Sequence, residues 1–290
     1  MKILITGKNS YIGNSVREWL NNKEPSYQID LISLKNIDLN SISFKSYDVI
    51  FHVAGIAHIS SSKKLIPEYF KVNRDLAIDV AKKAKEEGVK QFIFTSTMAI
   101  YGKDSKIGIN VPIDVEKPQP TSAYGQSKLE ADLTIQKLNS SNFKTAVLRI
   151  PMVYGKYAKG NFLKLYKLAN YLSILPKINN KRSVIHINNL AEIVRIIIKN
   201  NMYGIFFPQD KEFFNTNYFI CKIRNMKSKK TIITSFLNPL IVFISLFFKG
   251  TLKIYGNKFY DPSISELKGN SYQINELIDV IIELNKTIIS

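Results

Sequence analysis

Apolar residues follow two rhythms along this chain. In the first 160 residues, short runs of Ile, Leu, Val and Phe alternate with stretches whose apolar positions recur every three or four residues. Short apolar runs bounded by turn residues read as buried strands, and the three-to-four spacing reads as helices with one apolar side. The expected strands are Lys2–Thr6, Gln28–Ser33, Val49–Val53, Gln91–Ser96 and Thr145–Ile150. The expected helices are Ser10–Leu20, Tyr69–Glu87 (stopped by Gly88) and Tyr124–Leu138. Alternation of this kind predicts an α/β fold with a parallel sheet. Pro112, Pro118 and Pro120 mark a loop between Gly102 and Thr121, of the kind that lies over an active site. From Gly155 onward the pattern becomes irregular, as expected for a smaller lobe. The expected division is therefore 1–160 and 161–290, with part of the second stretch, about 184–206, packing back on the first.

Composition narrows this picture. Cys221 is the single cysteine, so an intrachain disulfide framework and a cysteine-based metal cluster are excluded, which suits a reducing cytoplasm. The first apolar run, Ile3 to Ile5, is only a strand's length and stops at Thr6-Gly7, so no secretory leader is expected there. The formal charge of +18 would attract nucleotide diphosphates or an acidic membrane surface. The lysines read as scattered, with no basic helix carrying interleaved aromatics, so nucleic-acid binding is not expected. Thr231 to Phe248 carries no charge over 18 residues. Asn238-Pro239 divides it, and Pro239 suits the first turn of a helix of about ten residues ending near Lys249-Gly250. That is too short to span a bilayer, leaving burial or peripheral contact with a membrane or partner surface.

The chemistry concentrates in three places. Thr6-Gly7-Lys8-Asn9-Ser10-Tyr11-Ile12-Gly13 joins the first strand to the first helix, where helix-end amides can hold a pyrophosphate. Ser10 stands where the middle glycine of such turns is expected, and it can cap the helix. At the end of the second strand Ser33, Leu34 and Lys35 replace the acid that holds NAD ribose hydroxyls. A hydroxyl and a cation suit a 2′-phosphate, so NADP(H) is favoured over NAD(H); the alternative ribose or adenine contacts are Asp38, with Leu39 beside it, or Asp30, which lies inside the strand. Tyr124 and Lys128, four residues apart, share a helix face, and the ammonium can lower the phenol's pKa. Thr95-Ser96-Thr97 supplies a hydroxyl partner.

These residues resemble the extended short-chain dehydrogenase/reductase family, in its NAD-dependent sugar-nucleotide epimerase/dehydratase branch. The likeness runs in order through the Thr6-to-Gly13 turn, Asp48 to Gly55, Val72-Asn73, Phe92 to Gly102, Tyr124 to Lys128, Leu148 to Gly155 and Arg182 to Ile187. Gly160-Asn161-Phe162, Asn179 to Ser183 and Phe207 to Asp210 are similar to the subgroup that finishes 6-deoxy-N-acetylhexosamine precursors of bacterial capsule and O-antigen. The resemblance implies a Rossmann-type doubly wound sheet with a C-terminal lobe for a UDP-sugar, and it allows a homodimer. It implies that Tyr124 exchanges a proton with the sugar C4 oxygen, that Lys128 lowers its pKa and binds the nicotinamide ribose, and that Thr97 orients the carbonyl, with Ser96 as fallback. Gly7, Ser10, Tyr11, Ile12 and Gly13 would line the pyrophosphate; Ala54, Gly55 and Asn73 would lie nearer the nicotinamide. Met98, Asn161 and Arg182 would contact substrate, Arg182 through the diphosphate.

Tyr101, Tyr154, His186 and Arg149 read as structural. His52, His58 and His186 show no metal-ligand spacing, and His58 is a weaker candidate for substrate contact. A 4,6-dehydratase needs an acid–base pair directly after the Ser/Thr, and Met98-Ala99 cannot serve. The expected reaction is NAD(P)H-dependent reduction of a UDP-4-keto-6-deoxy-N-acetylhexosamine. The alternatives are a UDP-sugar 4-epimerase with tightly held NAD and a non-catalytic dinucleotide-binding regulator.

Overall fold

A computed structural model describes residues 1–57, 66–158, 161–267 and 269–277, with backbone alone for 161–164 and 249. Elements follow in the order β1 (Lys2–Thr6), α1 (Tyr11–Lys23), β2 (Gln28–Ile32) and β3 (Val49–His52). Then come α2 (Ile66–Phe70), a π-helical turn over Lys71–Asp75, α3 (Leu76–Glu86), β4 (Gln91–Thr97), α4 (Ala123–Gln136) and β5 (Lys144–Ile150). The remainder is β6 (Met152–Tyr154), α5 (Asn161–Ala169), β7 (Ile174–Pro176), β8 (Val184–His186), α6 (Ile187–Lys199) and β9 (Gly204–Phe206), followed by α7 (Thr216–Met226), β10 (Ile232–Thr234), α8 (Asn238–Phe247) and α9 (Lys249–Tyr255).

Six parallel strands form the main sheet in the order β2-β1-β3-β4-β5-β9. Strand alternation decides which side each residue serves. Ile3, Ile5, Phe51, Ile93 and Leu148 join Val16 and Leu20 of α1 and Val194 and Ile197 of α6 in one core layer. Leu4, Ile50, Phe92, Phe94 and Val147 meet Val80 and Ala84 of α3 and Ile135 of α4 in the other. The strand runs are apolar throughout because helices cover both faces, which is the Rossmann-type arrangement. α6 lies against α1 and β9 extends the sheet, so residues from beyond position 184 complete this first layer system.

A third core gathers Tyr154, Tyr166, Leu175, Phe214, Phe219 and Ile223 and holds the smaller lobe. Short parallel pairs, β10 with β7 and β6 with β8, tie that lobe together. The expected single helix over Tyr69–Glu87 is three pieces, because the π turn inserts between α2 and α3. Ser10 lies just outside α1 as its cap, its hydroxyl accepting from Gly13 N–H at 3.2 Å. The loop between Gly102 and Thr121 is clamped by the strand-like stretch after α9. Ser105 N–H donates to the Asn257 carbonyl at 2.8 Å, Asn257 Nδ2 donates to the Ile109 carbonyl at 2.6 Å, and Ile113 N–H donates to the Phe259 carbonyl at 2.8 Å.

Candidate active site

Strand order reverses at β1, whose neighbours β2 and β3 lead to opposite halves of the sheet. A crevice opens beyond the carboxyl ends of strands at such a point. Thr6 and His52, paired in register there, join through Thr6 Oγ1 and His52 Nδ1 at 3.0 Å. Gly7 follows with φ +89°, a left-handed turn that strains any other residue, and an added Cβ would meet Ala54 N at 3.2 Å. The Val53 side chain and the Ala54 backbone therefore close directly on Gly7. This cradle, with the first turn of α1 aimed across it, fits a dinucleotide pyrophosphate over Gly7, Ser10, Tyr11, Ile12 and Gly13.

At the end of β2, the Ser33 hydroxyl accepts from Lys35 N–H at 3.3 Å and the Lys35 side chain is exposed. Asp38 is occupied as a local cap: it accepts from Asn40 N–H at 3.0 Å and starts a short 3₁₀ turn at Leu39. Asp30 lies back along the strand and accepts from the Tyr47 hydroxyl at 2.8 Å. Both carboxylates are thus engaged in local hydrogen bonds.

Across the crevice, Gly55, Asn73 and Lys128 converge. A Cβ on Gly55 would lie 2.9 Å from Asn73 Oδ1 and 3.3 Å from Lys128 Nζ. Asn73 sits in the π turn, a feature found often at functional sites. Its amide grips Ile56 on both sides, accepting from the N–H at 2.8 Å and donating to the carbonyl at 2.9 Å. The Asn73 amide thus fixes the wall of the site and does not project freely into it.

The reactive hydroxyls come from β4 and α4. Thr97 ends β4, accepts from Ala99 N–H at 3.2 Å, and hydrogen-bonds the Tyr124 phenol. Tyr69 meets the Tyr124 ring edge-on, with centroids 6.1 Å apart. Burial pushes the Tyr124 pKa up; the Thr97 hydrogen bond opposes this, and the neighbouring Tyr69 adds to it. The expected depression by Lys128 is not what the structure shows. Lys128 Nζ donates to the Thr95 carbonyl at 2.9 Å over the Phe94 ring, and burial brings its own pKa down to about 8. Its ammonium is directed to the backbone, and the groups that set the phenol's pKa are its burial, Thr97 and Tyr69.

Ser96, one residue before Thr97, faces the opposite side of β4. Its hydroxyl donates to Asp132 of α4 at 2.6 Å, which removes it from the reacting side. Asp132 also pairs with Arg149 of β5, at 3.1 Å to Nε and 3.2 Å to Nη2, and Arg149 Nη1 donates to the Tyr101 hydroxyl at 2.6 Å. This buried network locks α4 onto β4 and β5, and so sets where Tyr124 stands. Sequence spacing gave no sign of it, since the partners lie on three elements. A second buried carboxylate, Asp210, accepts from the Tyr154 hydroxyl at 2.6 Å and Asn189 Nδ2 at 2.8 Å, yet burial lifts its pKa to about 6. His52 is stacked against Phe92 and Phe94, and burial holds it neutral with a pKa near 3.

Arg182, an expected substrate contact, is engaged within the protein. Arg182 pairs with Asp104 at 3.0 Å and donates to the Leu252 and Gly256 carbonyls at 3.4 and 3.1 Å, so its guanidinium joins the 102–121 loop to α9. Asn161 is the first residue of α5, its side chain outside the described atoms, and His58 lies outside the described residues. Met98 is buried in the 3₁₀ turn after Thr97. His186 caps α6 through Nδ1, which accepts from Asn188 N–H at 3.3 Å. Among the described residues no cluster of His, Cys, Asp and Glu could hold a metal ion.

The chain is similar to several known proteins. It is 30% identical over 196 residues to a UDP-glucose 4-epimerase of Vibrio cholerae, covering 66% of this chain and 60% of that protein. It is 24% identical over 203 residues to the N-acetyl-alpha-D-glucosaminyl-diphospho-ditrans,octacis-undecaprenol 4-epimerase of Escherichia coli O157:H7, covering 68% and 60%. The matches thus span 60% of the length of these two relatives. Among solved structures, a dTDP-4-dehydrorhamnose reductase from Bacillus anthracis in complex with NADP shares the fold at a TM-score of 0.70 and 19% identity over 99% of each chain. The NAD dependent epimerase/dehydratase profile matches residues 3–207, and the chain belongs to that family.

Proposed function

We propose that the protein reduces the C4 ketone of a nucleotide-activated sugar, a UDP-4-keto-6-deoxy-N-acetylhexosamine, using a nicotinamide dinucleotide with NADP(H) preferred. The observation that carries this reading is the Thr97–Tyr124 hydroxyl pair at the crevice, with the phenol pKa held up by burial. A protonated phenol can give its proton to the C4 oxygen as hydride reaches C4. The bound dinucleotide supplies the hydride. Thr97, anchored by Ala99 N–H, would direct the carbonyl oxygen towards Tyr124, and Lys128, whose Nζ lies beside Gly55, would hold the nicotinamide ribose. Met98 and Ala99 offer no acid–base pair for loss of water across C5 and C6. The tip of β2, with Ser33 and Lys35, favours a 2′-phosphate.

A second reading, a UDP-sugar 4-epimerase that keeps its NAD, is supported by the Vibrio cholerae relative. Absorbance at 340 nm with the keto sugar separates the two. Loss of NADPH signal in proportion to ketone, faster than with NADH, is the result expected. If NADPH is not consumed and NAD retained through purification interconverts UDP-N-acetylglucosamine with its C4 epimer, the reductase reading fails. Tyr124→Phe should lower turnover by about 10³-fold while dinucleotide affinity stays unchanged. An unaffected rate would leave a dinucleotide-binding regulator as the better description.

A further inference from the structure

α8 is a ten-residue helix with no ionisable side chain and not one buried residue. A helix that is apolar all round is normally enclosed. Here Phe236, just before it, is 87% exposed, and Leu246, Phe247 and Phe248 are 67%, 68% and 66% exposed. Its polar side chains bond to backbone: Ser245 Oγ donates to the Val242 carbonyl at 2.7 Å, and Asn238 Nδ2 to the Lys177 carbonyl at 3.0 Å. The β7–β10 pair continues the patch through exposed Ile174, Ile232 and Ile233.

Charge identifies what this patch would meet. From Phe213 to Tyr260 the chain contains eight Lys and Arg and no Asp or Glu in 48 residues. The positive charge is therefore not evenly scattered. Lys177, Lys229, Lys230 and Lys253 are exposed beside or just outside the apolar segment. We propose that α8 docks in the interfacial layer of an anionic lipid bilayer, with these lysines at the headgroups. Aliphatic and aromatic side chains directed to several sides suit acyl chains, which surround a helix, better than a protein groove, which covers one stripe. Contact with a second copy would bring two acid-free basic surfaces together. At ~1.5 Å per residue, ten residues reach about 15 Å, half of a hydrocarbon core of about 30 Å. Among the described residues no helix is long and apolar enough to cross a membrane.

The mode is therefore peripheral. It would also bear on the crevice, because α9 follows α8 directly and its carbonyls receive Arg182, which holds Asp104 in the loop leading to Tyr124.

The test is cosedimentation of the full chain with phosphatidylcholine vesicles, with and without phosphatidylglycerol. The expected result is binding to the anionic vesicles, weakened by salt, and reduced at least about tenfold in the doubly substituted Phe243→Glu, Phe247→Glu protein. Both side chains are exposed, so the variant should keep its circular dichroism and its dinucleotide affinity, and neither readout depends on which sugar reaction is correct. Wild-type protein that stays in solution with anionic vesicles overturns the proposal. So does a wild-type dimer that the double variant converts to monomer, since the patch would then serve a second copy.

Discussion

The chain uses its apolar residues in opposite ways in its two halves. In the six-stranded sheet, Ile3, Leu4, Ile50, Phe92 and Val147 are fully buried, and a buried ionic pair, Asp132 with Arg149, ties α4 to β5. In the 213–260 stretch, the most apolar helix faces outward. The lobe around it has a smaller core, with Phe214, Phe219 and Ile223 buried, and single polar side chains also grip its backbone. Arg224 Nη2 donates to the Lys230 carbonyl at 2.7 Å, and Asn217 Nδ2 donates to the Pro176 carbonyl at 2.7 Å. The lesson is that rigidity around the reacting hydroxyls comes from packed layers plus one ionic lock. The outer lobe adds local clamps to a smaller core and leaves the apolar surface of α8 exposed.

That contrast can be broken experimentally, most sharply at the ionic lock. Asp132→Ala leaves Arg149 buried without its carboxylate, and a loss of about 3–5 kcal/mol in urea unfolding is expected. A loss of less than about 1 kcal/mol would reduce the lock to the standing of a surface ion pair. Next comes Lys128, whose folded pKa of about 8 lies below its ordinary 10.5. The folded state binds fewer protons than the unfolded state between those values, so stability should rise as pH increases from 8 to 10.5. The gain should approach about 3 kcal/mol, and Lys128→Met should lack it. A variant with the same pH slope as wild type would place the effect elsewhere.

The outer lobe should respond more gently. Arg182→Met removes the clamp between Asp104 and α9, and a loss of about 1–2 kcal/mol is expected with an unchanged KM for the sugar nucleotide. A tenfold rise in KM at unchanged stability would return Arg182 to phosphate binding. Smallest of all, Phe236→Ser should move unfolding by no more than about 0.5 kcal/mol, since the ring touches mainly solvent. A larger loss would show that the patch is covered within the chain.

Much of this was legible in the residues because it depends on local spacing. Tyr124 and Lys128 share a helix face by arithmetic, Gly7 ends a strand, and Pro239 opens a short helix. What spacing left open was decided by neighbours distant in sequence. Motif position favours Thr97 with Ser96 as fallback, and β4 alternation supplies the physical reason by sending Ser96 to Asp132 and Thr97 to Tyr124. Arg182 read as a free cation because Asp104, Leu252 and Gly256 lie about 70 or more residues away. The influence of Lys128 on the phenol was overestimated for a related reason: a shared face does not fix where a long side chain ends. The π turn was invisible because an apolar pattern running through it still resembles one continuous helix.

That wide turn has a thermodynamic consequence. By carrying Asn73 to both polar atoms of Ile56, it satisfies this stretch of backbone before any ligand arrives. A dinucleotide entering the crevice meets a wall already set, so little ordering entropy opposes its binding there. Shortening the turn by one residue would rotate Asn73 away and release Ile56. The expected signature is weaker cofactor affinity with a more unfavourable binding entropy, even though no side chain facing the ligand has changed.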